Sequence, residues 1–201
     1  MSVADLQPLG LELLVFGLAL LIFTADLLLG PDEKRGLGSF TVLGLSSILG
    51  VSFLVDFSGQ AFGVYESDGI GLYFKRVLLL AGVIGTLGSI DHVDARYPKR
   101  QGEHYLLILF SMAGMLLLTG AQDALLWIVA FELASIPFYV LLALGKDRAG
   151  TEAALKLFLV GAVSSVFVLY GFSLIWGMAG DTSFEGLGKV PAEPLFVLGC
   201  L

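Results

Sequence analysis

Apolar side chains run almost unbroken through residues 9–29, 38–57, 73–90, 105–121, 124–144 and 151–178, and the polar residues collect in the gaps between. Each stretch approaches or exceeds the ~20 residues that an α-helix needs to cross a hydrocarbon core. The pattern predicts an all-α, polytopic transmembrane helix bundle of six complete spans. A seventh apolar stretch begins at Pro194 and is still apolar at Leu201, where the sequence stops. That stop suggests a truncated reading frame or a fragment. No soluble domain interrupts the array, so residues 1–201 are expected to form a single membrane domain.

Composition supports this class and excludes others. Hydrophobic residues make up 57% of the chain, charged residues 14%, and the mean hydropathy is +0.90. A soluble domain carries about 25% charged residues. The formal net charge of -7 comes mostly from short loops and helix ends. Nothing basic or repetitive points to nucleic acid. The one cysteine, Cys200, excludes an internal disulfide and a cysteine-cluster metal site. The segment MSVADLQPLG has no basic region, and no small-residue cleavage site follows the first apolar run, so the first helix is expected to be retained.

Lysine and arginine orient the helices through the positive-inside rule. The first, third and fifth loops hold seven of them: Lys34, Arg35, Arg96, Lys99, Arg100, Lys146 and Arg148. The even loops and the edge of the third helix hold three, namely Lys75, Arg76 and Lys189. The bias places the odd loops in the cytoplasm and the N-terminus outside. The two longest connections, SGQAFGVYESDG and GDTSFEGLGKVPAEP, are then external; the second reads as a plain loop, although its Phe184, Leu187 and Val190 are apolar enough to enter the interface.

One position breaks the apolar rule at depth. Glu132 lies near the middle of the fifth span, where a charge costs roughly 3 kcal/mol or more. Helical periodicity groups it with Ser135, Ile136 and Tyr139 on a face that should look into protein. Pro137 lacks an N–H, so the Leu133 carbonyl should lose its helical partner beside that carboxylate. Such a feature is tolerated only within protein or along a wet cavity. Two readings follow for Glu132: a proton-relay or charge-coupling group, or a polar clasp to a neighbouring helix.

Lys156 is the second ionisable residue inside a span, about five residues or roughly 8 Å into the sixth helix. It reads either as a relay or as a lysine that snorkels to the interface while paired with Glu152 four residues earlier. The short loop GKDRAG makes the fifth and sixth spans antiparallel neighbours, so Glu132 and Lys156 could be linked directly or through water. Weaker candidates are Glu12 and Asp26, towards the ends of the first span, where solvation is cheap. Asp123 is expected to cap the fifth helix, and His92 and His104 to be solvated beside a loop. Gly85 with Ser89, and Gly161 with Ser165, carry the small-residue spacing of helix packing and are read as packing alone. No triad, phosphate loop or metal-ligand spacing stands out.

The segments EHYLLILFSMAGMLLLTGAQDALLWIVAFELASIPFYVLLAL and GTEAALKLFLVGAVSSVFVLYGFSLIWGMAGDTSF resemble subunit N of proton-pumping NADH:quinone oxidoreductase, respiratory complex I. The match is most specific from Glu103 to Phe184. The resemblance implies the N-terminal portion of a longer, antiporter-like membrane-arm subunit built on inverted repeats. It also implies that Glu132 and Lys156 are the acid and the lysine of a hydrated polar axis that couples electron transfer from NADH to quinone to proton translocation. The implied partners are the other membrane-arm subunits, the lipid bilayer and protons. FMN, iron–sulfur clusters and quinone would then be used by other subunits, with none in this chain. The implied location is a bacterial plasma membrane. Ser135 and Tyr139 would assist Glu132 by hydrogen bonding. Two rivals stand beside this reading: a subunit of a multi-subunit cation/proton antiporter, and a non-conducting scaffold whose Glu132 is only a clasp.

Overall fold

The computed structural model describes residues 3–30, 34–189 and 199–200. Its six long helices are α1 (Gly10–Leu28), α2 (Leu37–Leu54), α3 (Gly69–Arg96), α4 (Gln101–Leu118), α5 (Ala124–Ala143) and α6 (Arg148–Ala179). All six are long and apolar enough to cross a bilayer, which makes the chain a multi-pass membrane protein. The apolar stretch from Pro194 lies outside the described residues except for 199–200.

Aspartates cap the starts of α3, α5 and α6. Asp68 accepts from the Gly71 N–H at 2.6 Å, Asp123 from Leu125 at 2.8 Å and Asp147 from Gly150 at 2.6 Å. Each satisfies backbone donors that a helix N-terminus leaves open. The cap at Asp68 starts α3 four residues ahead of the apolar run, and the polar segment to Arg96 extends it beyond residue 90. At the other end of α6, Gly180 takes the left-handed conformation (φ 66°) that closes the helix.

α4 is the centre of the bundle. It packs on α1, α2, α3 and, most extensively, α5, while α6 touches chiefly α5. Half of the most apolar stretch of α4 is buried within the protein, against 11% for α6. The α4–α5 approach depends on Gly114, where a Cβ would collide with the Ala134 nitrogen and the Leu133 and Ala130 carbonyl groups. Close backbone contact through small residues is how helices associate where lipid is as apolar as they are. Beside it, the buried Ser111 hydroxyl donates to the Ala134 carbonyl at 2.7 Å. On α3 the residue that makes the close approach is Gly82, against Met112. The expected pair does not pack in this way: Gly85 faces open space and Ser89 donates to the Thr86 carbonyl of its own helix.

The even loops are not plain. Residues 59–67 form a short antiparallel hairpin, β1 (Gly59–Ala61) and β2 (Tyr65–Ser67), with Gly59 opposite Ser67 and Ala61 opposite Tyr65. The hairpin continues by backbone bonds into the α4–α5 turn, Glu66 N–H to Gly120 at 2.7 Å and Gln122 N–H to Val64 at 2.8 Å. That turn bonds onward, Ala124 N–H to Thr182 at 2.9 Å and Phe184 N–H to Gln122 at 3.0 Å. The one-turn helix α7 (Phe184–Leu187) then lays Leu187 against Ala124 and Ile175, so this segment packs on protein. Val190 lies outside the described residues.

Gly114→Ala should lower stability by about 1–3 kcal/mol, because the added methyl meets backbone that cannot move aside. Gly177→Ala, where a Cβ meets nothing, should stay within about 1 kcal/mol of the parent. Reversible unfolding in mixed micelles measures both.

Candidate functional site

Glu132 sits eight residues into the twenty of α5, about 12 Å from its start. It is half-buried, and its Oε1 accepts a short hydrogen bond from the Ser165 hydroxyl of α6. The expected helpers turn elsewhere. Ser135 donates to the Phe131 carbonyl at 2.8 Å, because a serine one turn along can reach that oxygen. Tyr139 sets its ring edge-on to Phe158 at 5.9 Å, and its hydroxyl lies where a Cβ on Gly161 would be. The small residues of α6 thus do two different things: Gly161 makes room for Tyr139, and Ser165 holds the carboxylate. α5 runs through Pro137, and the carbonyl that gains an outside donor is that of Ala134, not Leu133.

Lys156 lies apart from Glu132. It pairs with Glu152 at 2.6 Å along its own helix, with side chains 73% and 59% exposed. Since α6 begins at Arg148, the lysine is eight residues inside, about 12 Å, rather than five. Ser165 is nine residues further along α6, so about 14 Å of helix separates Lys156 from the partner of Glu132. The two residues are on adjacent helices but not in contact.

A second ionisable site is absent from the expectations. Lys75 of α3 pairs with Glu12 of α1 at 3.1 Å, with side chains 0% and 2% exposed. Glu12 Oε1 also accepts from the Tyr65 phenol at 2.5 Å. The Lys75 ammonium donates to Ser67 Oγ at 3.0 Å and to the Pro8 carbonyl at 3.3 Å, and it lies 5.1 Å from the centre of the Tyr65 ring. Glu12 was expected at a solvated helix end and Lys75 was counted at the edge of the third helix; the hairpin covers both. Burial, and then the Glu12 carboxylate, push the Tyr65 phenol above its ordinary value, so it serves as a hydrogen donor. Neighbouring Arg76 turns the other way, donating to the Ser52 carbonyl at 2.6 Å over the Phe53 ring.

The remaining candidates settle simply. Asp26 pairs with Lys34 at 2.7 Å. Asp123 caps α5 as expected and accepts from Thr182 at 2.5 Å. His92 is exposed, whereas His104 is half-buried beside the Tyr105 ring at 5.3 Å. Among the described residues no three His, Cys, Asp or Glu side chains converge on a metal position.

A serine hydroxyl that donates to a mid-membrane carboxylate can also accept, so the Ser165–Glu132 pair can hold charge or pass a proton. The family described as NADH:quinone oxidoreductase/Mrp antiporter, TM, matches residues 121–200, which include Glu132, Lys156 and Ser165. Fold and match together define an antiporter-like membrane segment. Over 98% of its length the chain is 33% identical to NADH-quinone oxidoreductase subunit N of Moorella thermoacetica, covering 43% of that protein. Subunit N of Desulfovibrio desulfuricans is 35% identical over 96% of the chain and 39% of its own length. In the structure of respiratory complex I from Thermus thermophilus with bound aureothin, one chain superposes with a TM-score of 0.76 at 32% identity, over 94% of this chain and 41% of that one. A chain of the archaeal membrane-bound sulfane sulfur reductase shares the fold, with a TM-score of 0.80 at 18% identity. The chain is a homologue of NADH-quinone oxidoreductase subunit N, and it spans about two-fifths of the length of the relatives it matches.

Lys75→Met should cost about 3–5 kcal/mol, because it strands a buried carboxylate. Lys156→Met removes an exposed pair worth at most about 1 kcal/mol. Unfolding of the two variants side by side checks the contrast.

Proposed function

We propose that the chain works as the N-terminal portion of a membrane-arm subunit of NADH:quinone oxidoreductase, in which electron transfer from NADH to quinone is coupled to proton translocation. Glu132 is the charge-coupling acid. The observation that carries this reading is its place: a carboxylate halfway through a span, held by a hydroxyl across the α5–α6 interface. A purely structural clasp at that depth could use two neutral groups and avoid the cost of a charge.

Lys156 is the partner in proton transfer, acting at a distance. Its pairing with Glu152 places a movable charge on the odd-loop side of α6, where a change of protonation or of pairing alters the field at the α5–α6 contact. In this reading FMN, iron–sulfur clusters and quinone belong to other subunits, and this chain contributes ionisable side chains only. The partners are the neighbouring membrane-arm subunits, the lipid and protons. The membrane is a bacterial plasma membrane, with the N-terminus outside on the lysine and arginine bias.

The matched family also takes in the Mrp antiporters, which keeps a cation/proton antiporter subunit as the second reading. The subunit N relatives favour the oxidoreductase.

Glu132→Gln should leave assembly and NADH oxidation measurable but cut proton pumping substantially in inverted membrane vesicles. Pumping at the parental level, with normal assembly, would establish the scaffold reading instead.

A further inference from the structure

Among the described residues α6 touches chiefly α5, and only 11% of its most apolar stretch is buried. Few contacts therefore decide how α6 is rotated and how far along α5 it sits. α5 is anchored on its other side, by the backbone approach at Gly114 and the Ser111 bond to the Ala134 carbonyl. Near the two ends of the α5–α6 pair, the Trp127 ring lies 6.2 Å from that of Phe172, and Gly150 packs on the Leu142 carbonyl.

The middle of the pair is held by a ring in a notch. The Tyr139 hydroxyl occupies the place of a Gly161 Cβ, and the ring carbon Cζ is 2.9 Å from that same point. Phe158 closes on the ring edge-on, at 5.9 Å between centres. One turn further along α6, Ser165 donates to Glu132. Gly161 and Ser165, four residues apart, share a face of α6, and Glu132 and Tyr139, seven apart, share a face of α5. The two helices run antiparallel. A tyrosine leans back towards the start of its helix, here towards Glu132, so the longer spacing on α5 meets the shorter one on α6.

The serine arm is short and a hydrogen bond is directional, so a small slide or rotation of α6 takes the hydroxyl away from the carboxylate. A ring seated in a backbone notch resists both movements, since either drives it against the neighbouring turns of α6.

We propose that Tyr139, seated at Gly161, is a positioning residue for Glu132. It fixes the register and rotation of α6 that present the Ser165 hydroxyl to the carboxylate, and it does so through its bulk rather than through a bond of its own to Glu132. That the positioned carboxylate serves coupling rests on the proposed function; the positioning itself does not.

Infrared spectra of the assembled complex in lipid test this. The Glu132 absorption is the band lost in Glu132→Gln, and Ser165→Ala gives its position without the hydroxyl. Gly161→Ala should move the band towards the Ser165→Ala position, because the new methyl expels the ring. Adding Tyr139→Phe should return it most of the way, since the closer of the two collisions is then gone. Alone, Tyr139→Phe should leave the band in place, because the ring still fills the notch, whereas Tyr139→Ala should move it. If Tyr139→Ala does not assemble, Gly161→Ala and its rescue decide the matter. A band unmoved in Gly161→Ala, moved but not returned by Tyr139→Phe, or unmoved in an assembled Tyr139→Ala would overturn the proposal and leave the coupling role of Glu132 standing. Parental pumping in Glu132→Gln would remove the coupling role and leave the positioning standing.

Discussion

A polar group in hydrocarbon has no water to turn to, and at three places in this bundle such a group is met by another element of the protein. Those meetings mark three of the contacts between elements. Glu132 is met by Ser165, which joins α5 to α6. The Ala134 carbonyl is met by Ser111, which joins α5 to α4 beside the close approach at Gly114. Glu12 and Lys75 are met by each other and by a hairpin folded over them, which joins α1, α3 and the even-loop face. Apolar burial then fills the space between these contacts, densest around α4.

The two ionisable sites differ in what surrounds them. Glu12 and Lys75 are enclosed in described protein on all sides, and their charges compensate locally. Glu132 is only half-buried, on a helix pair whose outer face carries little protein, and its partner is neutral. An uncompensated carboxylate responds to charges placed near it; an ion pair resists them. This asymmetry is what the proposed coupling role of Glu132 draws on.

The spans were legible because hydropathy alone separates lipid-facing helix from loop, and Glu132 was legible because it stands alone in an apolar run. The enclosed pair was not. Glu12 and Lys75 each lie within two turns of a helix end, and at that depth sequence cannot distinguish a solvated head group from a covered one. What covers them is Tyr65, on a hairpin whose glycine-rich sequence reads as loop. A usable signal was present: opposite charges at similar depth on helices entering from the same side. Ser165 was visible only as a small packing residue, since which hydroxyl faces which carboxylate depends on the relative rotation of two helices. The same unknown made a direct Glu132–Lys156 link conceivable from the short α5–α6 loop, whereas Glu132 meets Ser165, about 14 Å further along α6 than the lysine.

The most direct test of Glu132 as a coupling acid oriented from α6 alters its partner and leaves the carboxylate in place. Proton pumping per NADH oxidised, measured in assembled complexes, should fall substantially in Ser165→Ala and return in Ser165→Thr, which restores a hydroxyl at the same position. Equal pumping in the parent and in Ser165→Ala, with assembly intact in both, would contradict the account.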